Sequence, residues 1–196
     1  MQTPKWKLFV VLWAYTLFCW VFPYILHRGA GFDVADPFSS YPWGFSPFYA
    51  VAMFGGAFLS SRWMAVALPV VAYAATNTLI LLVTGQTDWA LESGIWVNYA
   101  LLAMFPLFGF GLANRREHLL PHALGRGLAA SVAYFILSNL ACFPSMYPHT
   151  LAGFTECYLK ALPFFGPAVA STLAFTAVLF SPLGARVAQS SISASN

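Results

Sequence analysis

The chain has 196 residues, of which 60% are hydrophobic and only 8% are charged, and its net charge is +3. A typical soluble domain has about 25% charged and about 45–50% apolar residues. Nine Lys and Arg with six Asp and Glu are too few to cover the surface of a soluble protein of this size. The composition therefore argues against a soluble enzyme, a nucleic-acid-binding protein and a disordered regulator, and it predicts an integral membrane protein.

Six apolar runs account for most of the chain. A helix that crosses the hydrocarbon core of a bilayer needs roughly 20 mostly apolar residues. The runs are residues 8–26, 47–59, 63–83, 94–113, 127–143 and 167–183. They predict an all-α integral membrane protein built as a six-transmembrane-helix bundle, in which the second run is the shortest. We interpret the first run as an uncleaved helix, because Arg28 before Ala30 makes a poor signal-peptide cleavage site.

A seventh segment, residues 147–162, precedes the last run and is less apolar than the others. It contains Glu156 and Lys160, and the break at Pro163 and Pro167 separates it from the last run. Interrupted backbone at membrane depth is tolerated mainly where it is buried or lines a cavity. We therefore expect an interfacial or partly re-entrant helix before the last span.

The basic residues predict the orientation, because Lys and Arg concentrate in cytoplasmic loops. If the chain has six spans and both termini are cytoplasmic, most of the Lys and Arg lie on the cytoplasmic side. Only Arg28 and Lys160 then lie on the outer side. The inside group is Lys5, Lys7, Arg62, Arg115, Arg116, Arg126 and Arg186.

The chain is predicted to be one domain over residues 1–189. The longest connection between runs, residues 27–46, is too short to form a folded soluble domain. Residues 190–196 are small and polar with no apolar spacing, and we expect a disordered tail there.

No catalytic signature is present, so we expect neither enzyme activity nor a cofactor or metal. The chain has no HExxH, GxSxG or P-loop motif. Its three cysteines lack a metal-type spacing. His118 and His122 are four residues apart, but Pro121 interrupts the segment, and a solvated or headgroup-facing loop is the better interpretation.

Polar residues with binding chemistry concentrate on the predicted outer side. An Asn amide within the membrane either bridges helices or lines a cavity. Glu156 and Lys160 have the spacing of a helical ion pair, which either neutralises itself or forms the polar wall of an outward-facing pocket. The candidate ligand-binding residues are Asp88, Asn98, Asn139, Tyr147, His149, Glu156, Tyr158 and Lys160.

Small residues mark the second run and permit close approach of another backbone. Ala52 and Gly56 form a small-xxx-small pair, and Gly55 lies beside them. Packing within the chain and docking to a separate membrane partner both explain this pattern.

Two segments resemble an uncharacterised family of small bacterial multi-pass membrane proteins. One begins Phe45-Ser46-Pro47-Phe48-Tyr49 and continues to Ala57. The other comprises Ser138-Asn139-Leu140, Met146-Tyr147-Pro148-His149-Thr150-Leu151-Ala152-Gly153, Cys157-Tyr158 and Leu162-Pro163-Phe164-Phe165. The resemblance implies a location in the bacterial cytoplasmic (inner) membrane, and its motifs concern packing and turns rather than chemistry.

The size, the six spans and the long first outer loop are similar to the substrate-capture (S) components of energy-coupling-factor transporters. That similarity implies a small-solute-binding or transport component with an outward-facing pocket. The expected partners are the lipid bilayer, a small-molecule solute and a membrane partner subunit, with no nucleic acid. The alternative is a non-catalytic structural or assembly subunit of a membrane complex.

Overall fold

The structure, a computed structural model, describes residues 5–34, 45–87 and 95–189. Within these ranges the chain forms helices and no strand, so the predicted all-α class is confirmed. The helices are α1 (Lys5–Ala30), α2 (Phe48–Phe58), α3 (Arg62–Thr84), α4 (Ile95–Gly109), α5 (Leu119–Met146), α6 (Leu151–Leu179) and α7 (Pro182–Gln189). The predicted tail and the predicted binding residue Asp88 lie outside the described residues.

Five helices are long and apolar enough to cross a membrane. They are α1, α3, α5, α6 and the segment Ile95–Asn114, which is α4 with the short turn after it. Their outer faces carry large apolar side chains, such as Trp63 and Leu82, that are 86% and 73% exposed. Apolar side chains exposed to this extent are suited to lipid rather than to water. The chain is therefore a multi-pass helical membrane protein.

Helix α2 is different, because it is short and lies at the centre of the bundle. Its 11 residues extend about 16 Å, roughly half the thickness of a hydrocarbon core. Nine of the eleven are buried, and the helix packs against α1, α3, α4, α5 and α6. The core is therefore built around α2. The predicted sixth crossing depends on this helix and stays a prediction.

Two glycines allow α2 and α4 to pack backbone to backbone. A Cβ atom at Gly56 would overlap the backbone of Pro106 in α4, and a Cβ atom at Gly109 would overlap the carbonyl group of Met53 in α2. The contact is reciprocal, since each helix contributes one glycine. The short α2 is therefore held against α4 by a contact that admits no side chain.

Helix α6 is continuous from Leu151 to Leu179, so the predicted separate helix over residues 147–162 is wrong. Both Pro163 and Pro167 lie inside α6. Each proline removes one N–H donor from the helix, but neighbouring helices can tolerate this loss in a membrane bundle. Contacts with α5 support α6 at these prolines, since the ring centroids of Phe135 and Phe165 are 4.4 Å apart.

The turn between α5 and α6 explains part of the second motif. Thr150 is the N-cap of α6, and its hydroxyl accepts a hydrogen bond from the Gly153 N–H at 3.1 Å. A Cβ atom at Gly153 would overlap the carbonyl group of Pro148. The Pro148–Thr150–Gly153 pattern therefore determines how the chain reverses direction between the two longest helices.

Successive helices alternate in direction, so most basic side chains meet at one end of the bundle. This basic end comprises the described side chains of Lys7, Arg62, Arg115, Arg126 and Arg186. Arg126 donates hydrogen bonds to the carbonyl oxygens of Phe108 and Phe110 at 3.1 and 2.8 Å. At the opposite end, Arg28 of α1 donates a hydrogen bond to the carbonyl oxygen of Val83 in α3. This clustering of basic side chains at one end agrees with the distribution of Lys and Arg expected from the sequence. The orientation of the termini stays a prediction.

Candidate functional site

A cluster of aromatic and amide side chains surrounds the N-terminal end of α2. We call it the tyrosine cluster, and it takes side chains from the first five helices. Its members are Trp20 of α1, Phe48 and Tyr49 of α2, Tyr73 of α3, Asn98, Tyr99 and Phe105 of α4, and Tyr134 of α5.

Tyr49 is the centre of the cluster. Its ring stacks on Phe105 with centroids 4.1 Å apart and planes 5° apart. Its ring also contacts Tyr134 at a centroid distance of 5.3 Å, and Tyr134 lies 5.8 Å from Phe105, so the three rings contact one another. The Tyr134 hydroxyl also donates to Oδ1 of Asn98 at 3.5 Å. Ring contacts and one hydrogen bond therefore connect α2, α4 and α5 at this point.

A second row of rings completes the cluster across α1, α3 and α4. Trp20 stacks on Phe48 with centroids 4.5 Å apart, and its edge meets Tyr73 at 5.8 Å. Tyr73 in turn meets Tyr99 edge to face at 5.0 Å. Offset and edge-to-face pairs of this kind stabilise aromatic packing beyond the area that they bury.

The tyrosine cluster is neutral and only partly closed. None of its members is charged, and Tyr49, Tyr73, Asn98 and Tyr134 retain partial exposure. One helical turn beyond Tyr73, Asn77 is 6% exposed, and its Nδ2 has no hydrogen-bond partner in the described part of the chain. The cluster therefore combines flat apolar surfaces with hydroxyl and amide groups, which can bind an uncharged molecule by stacking and hydrogen bonding.

The structure places only Asn98 of the predicted binding residues in this cluster. Asn139 and Tyr158 instead join α5 to α6. The Asn139 amide donates to the Phe135 carbonyl at 2.7 Å, and the Asn139 carbonyl accepts from the Cys157 thiol at 3.5 Å. The Tyr158 hydroxyl donates to the Ile136 carbonyl at 2.9 Å.

The remaining predicted residues lie at the outer part of the same two helices. Glu156 and Lys160 form an ion pair of 2.6 Å, and the Lys160 ammonium lies 5.8 Å from the centre of the Tyr147 ring. His149 Nε2 lies 2.9 Å from the carbonyl oxygen of Pro144. The Glu156–Lys160 pair lines an open groove of about 710 Å³ on α6. The predicted residues therefore divide between a surface groove, the α5–α6 contact and the tyrosine cluster.

Sequence reasoning missed the tyrosines of the cluster. In the sequence, Tyr49 stands out only as part of the family motif that begins Phe45-Ser46-Pro47. The other tyrosines come from three different helices, and only the tertiary packing brings them to Tyr49.

The small residues of α2 are covered by this chain itself. Ala52 is 1% exposed, and Gly55 and Gly56 face Phe9 of α1 and Pro106 of α4. Packing within the chain buries all three small residues, and docking of a membrane partner on them stays a prediction.

No group of three or more His, Cys, Asp or Glu side chains with metal-binding geometry occurs within residues 5–34, 45–87 and 95–189. Cys19, Cys142 and Cys157 are free thiols, and the first and last are buried.

Fold and site together define a multi-pass helical membrane protein with a neutral aromatic interior. Residues 3–193 match the family described as DUF6580, a family of unknown function. Because the match covers nearly the whole chain, the protein belongs to this family. Its expected membership of a family without known function is thereby confirmed. No curated protein and no solved structure gives a significant match.

Proposed function

We propose that this DUF6580 member is a small-solute-binding or transport component of the membrane, similar in role to a substrate-capture component of an energy-coupling-factor transporter. Its ligand site is the tyrosine cluster. The observation that carries the proposal is the hydrogen bond from Tyr134 to Asn98 beside the stacked rings of Tyr49 and Phe105. Ligand sites are mostly apolar cavities with a few polar groups that fix the orientation of the ligand.

The chemistry of the cluster defines the class of solute. A charged ligand would lose its hydration without gaining an opposite charge, because none of the cluster members is ionised. An uncharged solute with a flat conjugated ring gains stacking on rings such as Tyr49 and Trp20. The hydroxyl of Tyr134 and the amide of Asn98 provide donors and acceptors for its polar substituents.

The position of the cluster favours access from the side opposite the basic end. Helix α2 begins about 16 Å from the connection that joins it to α3, so its first residues lie deep in the bundle. With both termini in the cytoplasm, that side is the outside of the cell. The solute then enters from outside the bacterial inner membrane, and the protein binds it without chemical conversion.

One observation favours a second candidate, a structural or assembly subunit. Leu151 and Leu159 on α6 are 82% and 59% exposed beside the Glu156–Lys160 pair. In this alternative a membrane partner subunit covers the α6 groove. Purification in mild detergent distinguishes the two, because the assembly role requires a stoichiometric partner that is lost when Leu159 is replaced by Glu.

The test begins with protein extracted from its own membranes and examined by native mass spectrometry. We expect a bound neutral aromatic small molecule. The affinity of the identified compound, with riboflavin and pyridoxine as further probes, is then measured by equilibrium dialysis. Tyr134→Phe removes one hydroxyl from the cluster, and we expect about 3- to 10-fold weaker binding, the effect of one lost hydrogen bond.

The matched control is Tyr158→Phe, which removes a hydroxyl from the α5–α6 contact. We expect this variant to bind like the parent. Equal affinities for Tyr134→Phe and the parent, or weaker binding by Tyr158→Phe alone, would contradict the assignment of the site to the tyrosine cluster.

A further inference from the structure

A second cavity lies at the basic end of the bundle, away from the tyrosine cluster. It has a volume of about 290 Å³, room for about ten water molecules. We call it the basic-end cavity. Residues from the start of α5 and from the junction of α6 with α7 line it, among them Glu117, Leu119, Leu120, Phe180, Pro182 and Arg186.

Two opposite charges face the basic-end cavity. Glu117 and Arg186 are both exposed, and no ion pair joins them to each other or to another described side chain. The ion pair found in the described residues, Glu156–Lys160, lies on the outer part of α6. A cavity that presents a carboxylate and a guanidinium without joining them is complementary to a zwitterion, which has one charge of each sign.

The rest of the cavity is apolar and lies at the ends of two helices that are long enough to span a membrane. Leu119 and Phe180 are 8% and 1% exposed and form its inner wall. The cavity lies where α5 begins and α6 ends, that is, at the ends of two long apolar helices. Leu183 of α7, which is 75% exposed, lies next to Pro182 at the cavity edge. An amphiphile with a charged group and an apolar chain fits this combination.

We propose that the basic-end cavity binds one molecule of phosphatidylethanolamine. The Arg186 guanidinium pairs with the phosphate, as Arg commonly does in a bidentate geometry. The Glu117 carboxylate accepts hydrogen bonds from the primary ammonium, and the acyl chains lie along Leu120 and the apolar surface beside it. Arg115, which is exposed two residues before Glu117, adds attraction for the phosphate.

The chemistry of this pairing predicts discrimination between headgroups. Phosphatidylcholine carries the same charges, but its quaternary ammonium has no N–H to donate to Glu117. Phosphatidylglycerol has no cation, and its negative charge is repelled by Glu117. The site should therefore prefer phosphatidylethanolamine to both, although the basic end as a whole favours anionic lipid.

The experiment uses the purified full chain and native mass spectrometry with palmitoyl-oleoyl lipids that differ only in headgroup. We expect the parent to bind phosphatidylethanolamine at least 5-fold more tightly than phosphatidylcholine or phosphatidylglycerol. Glu117→Gln should lower the affinity for phosphatidylethanolamine to that for phosphatidylcholine. Arg186→Gln should weaken the binding of all three lipids.

The control is Glu156→Gln, which removes a carboxylate far from the cavity and should leave the preference unchanged. Tighter binding of phosphatidylglycerol by the parent would overturn the proposal, as would an undiminished preference in Glu117→Gln. Because Glu117 and Arg186 are exposed, their replacement is compatible with folding, and the melting temperature of each variant verifies this. The result does not depend on whether the tyrosine cluster binds a solute.

Discussion

Gly56 of α2 lies directly against the backbone of Pro106 in α4, so closely that a Cβ atom at position 56 would overlap the Pro106 carbonyl group. Pro106 also lacks an N–H, and the helix interior at this point is therefore already short of one hydrogen bond. Helix α2 is therefore held at a point where its backbone contacts the backbone of α4. The contact lies in the second half of α2, and Pro106 directly follows Phe105 of the tyrosine cluster.

Gly56→Ala should destabilise the protein, because the added methyl group forces α2 away from α4. Overpacking of a tight contact costs about 1–3 kcal/mol. A fluorogenic thiol dye measures the loss as a lower melting temperature, since Cys19 and Cys157 are buried in the folded state. Gly125→Ala is the matched control: a Cβ atom there has no neighbour within 4 Å, and helix propensity predicts equal or higher stability. Equal melting temperatures for the two variants would contradict the close contact.

Arg126→Ala should also lower the stability, by about 2 kcal/mol. The guanidinium donates to the Phe108 and Phe110 carbonyls at the end of α4, where no intrahelical donor remains. The same melting assay measures the effect. Arg115→Ala serves as control, since Arg115 is exposed and contacts His122 near the surface. If Arg126→Ala were as stable as Arg115→Ala, the hydrogen bonds from Arg126 to the end of α4 would contribute nothing to stability.

Glu156→Gln and Lys160→Gln should leave both the melting temperature and solute binding unchanged. The side chain of Lys160 is 64% exposed and that of Glu156 is 49% exposed. Exposed ion pairs contribute little to stability. Melting curves at low and high salt, with dialysis against the identified solute, check this prediction. Loss of solute binding in Glu156→Gln would instead indicate that the solute binds in the groove on α6.

Labelling of introduced cysteines tests the six-span topology. In a Cys142→Ser background, Thr87→Cys should react with a membrane-impermeant maleimide in spheroplasts, because residue 87 follows the outer end of α3. Ser60→Cys, between α2 and α3, should react only after permeabilisation. Both positions are exposed in the structure. Labelling of both residues before permeabilisation would contradict the crossing assigned to α2.

Local signals explain why some elements are predictable. The sequence predicts a helix over residues 63–83, and α3 runs Arg62–Thr84. Ser61 caps its start by accepting a hydrogen bond from the Met64 N–H, and Gly85 ends it in the left-handed conformation with φ 71°. Both residues act on their own neighbours, so their effect can be predicted without tertiary structure.

The prolines of α6 illustrate the opposite case. By local rules, Pro163 and Pro167 predict a break in the helix. The packing of α6 along α5 nevertheless keeps the helix intact. The tyrosine cluster is non-local in the same way. Spacing along the chain gives no indication that Tyr49 and Tyr134, 85 positions apart, are in contact. The sequence predicts a site at Glu156 and Lys160 because charged residues are rare in an apolar sequence, whereas a neutral site gives no such signal.

The most direct test of the proposed function compares two asparagines in one binding measurement. Asn98 belongs to the tyrosine cluster, and Asn139 belongs to the α5–α6 contact. The dissociation constant of the copurified solute is determined by equilibrium dialysis for the parent, Asn98→Leu and Asn139→Leu, with folding of each verified by its melting curve. We predict at least 10-fold weaker binding for folded Asn98→Leu and parental affinity for folded Asn139→Leu. Parental affinity in Asn98→Leu, or loss of binding in Asn139→Leu alone, would contradict the account.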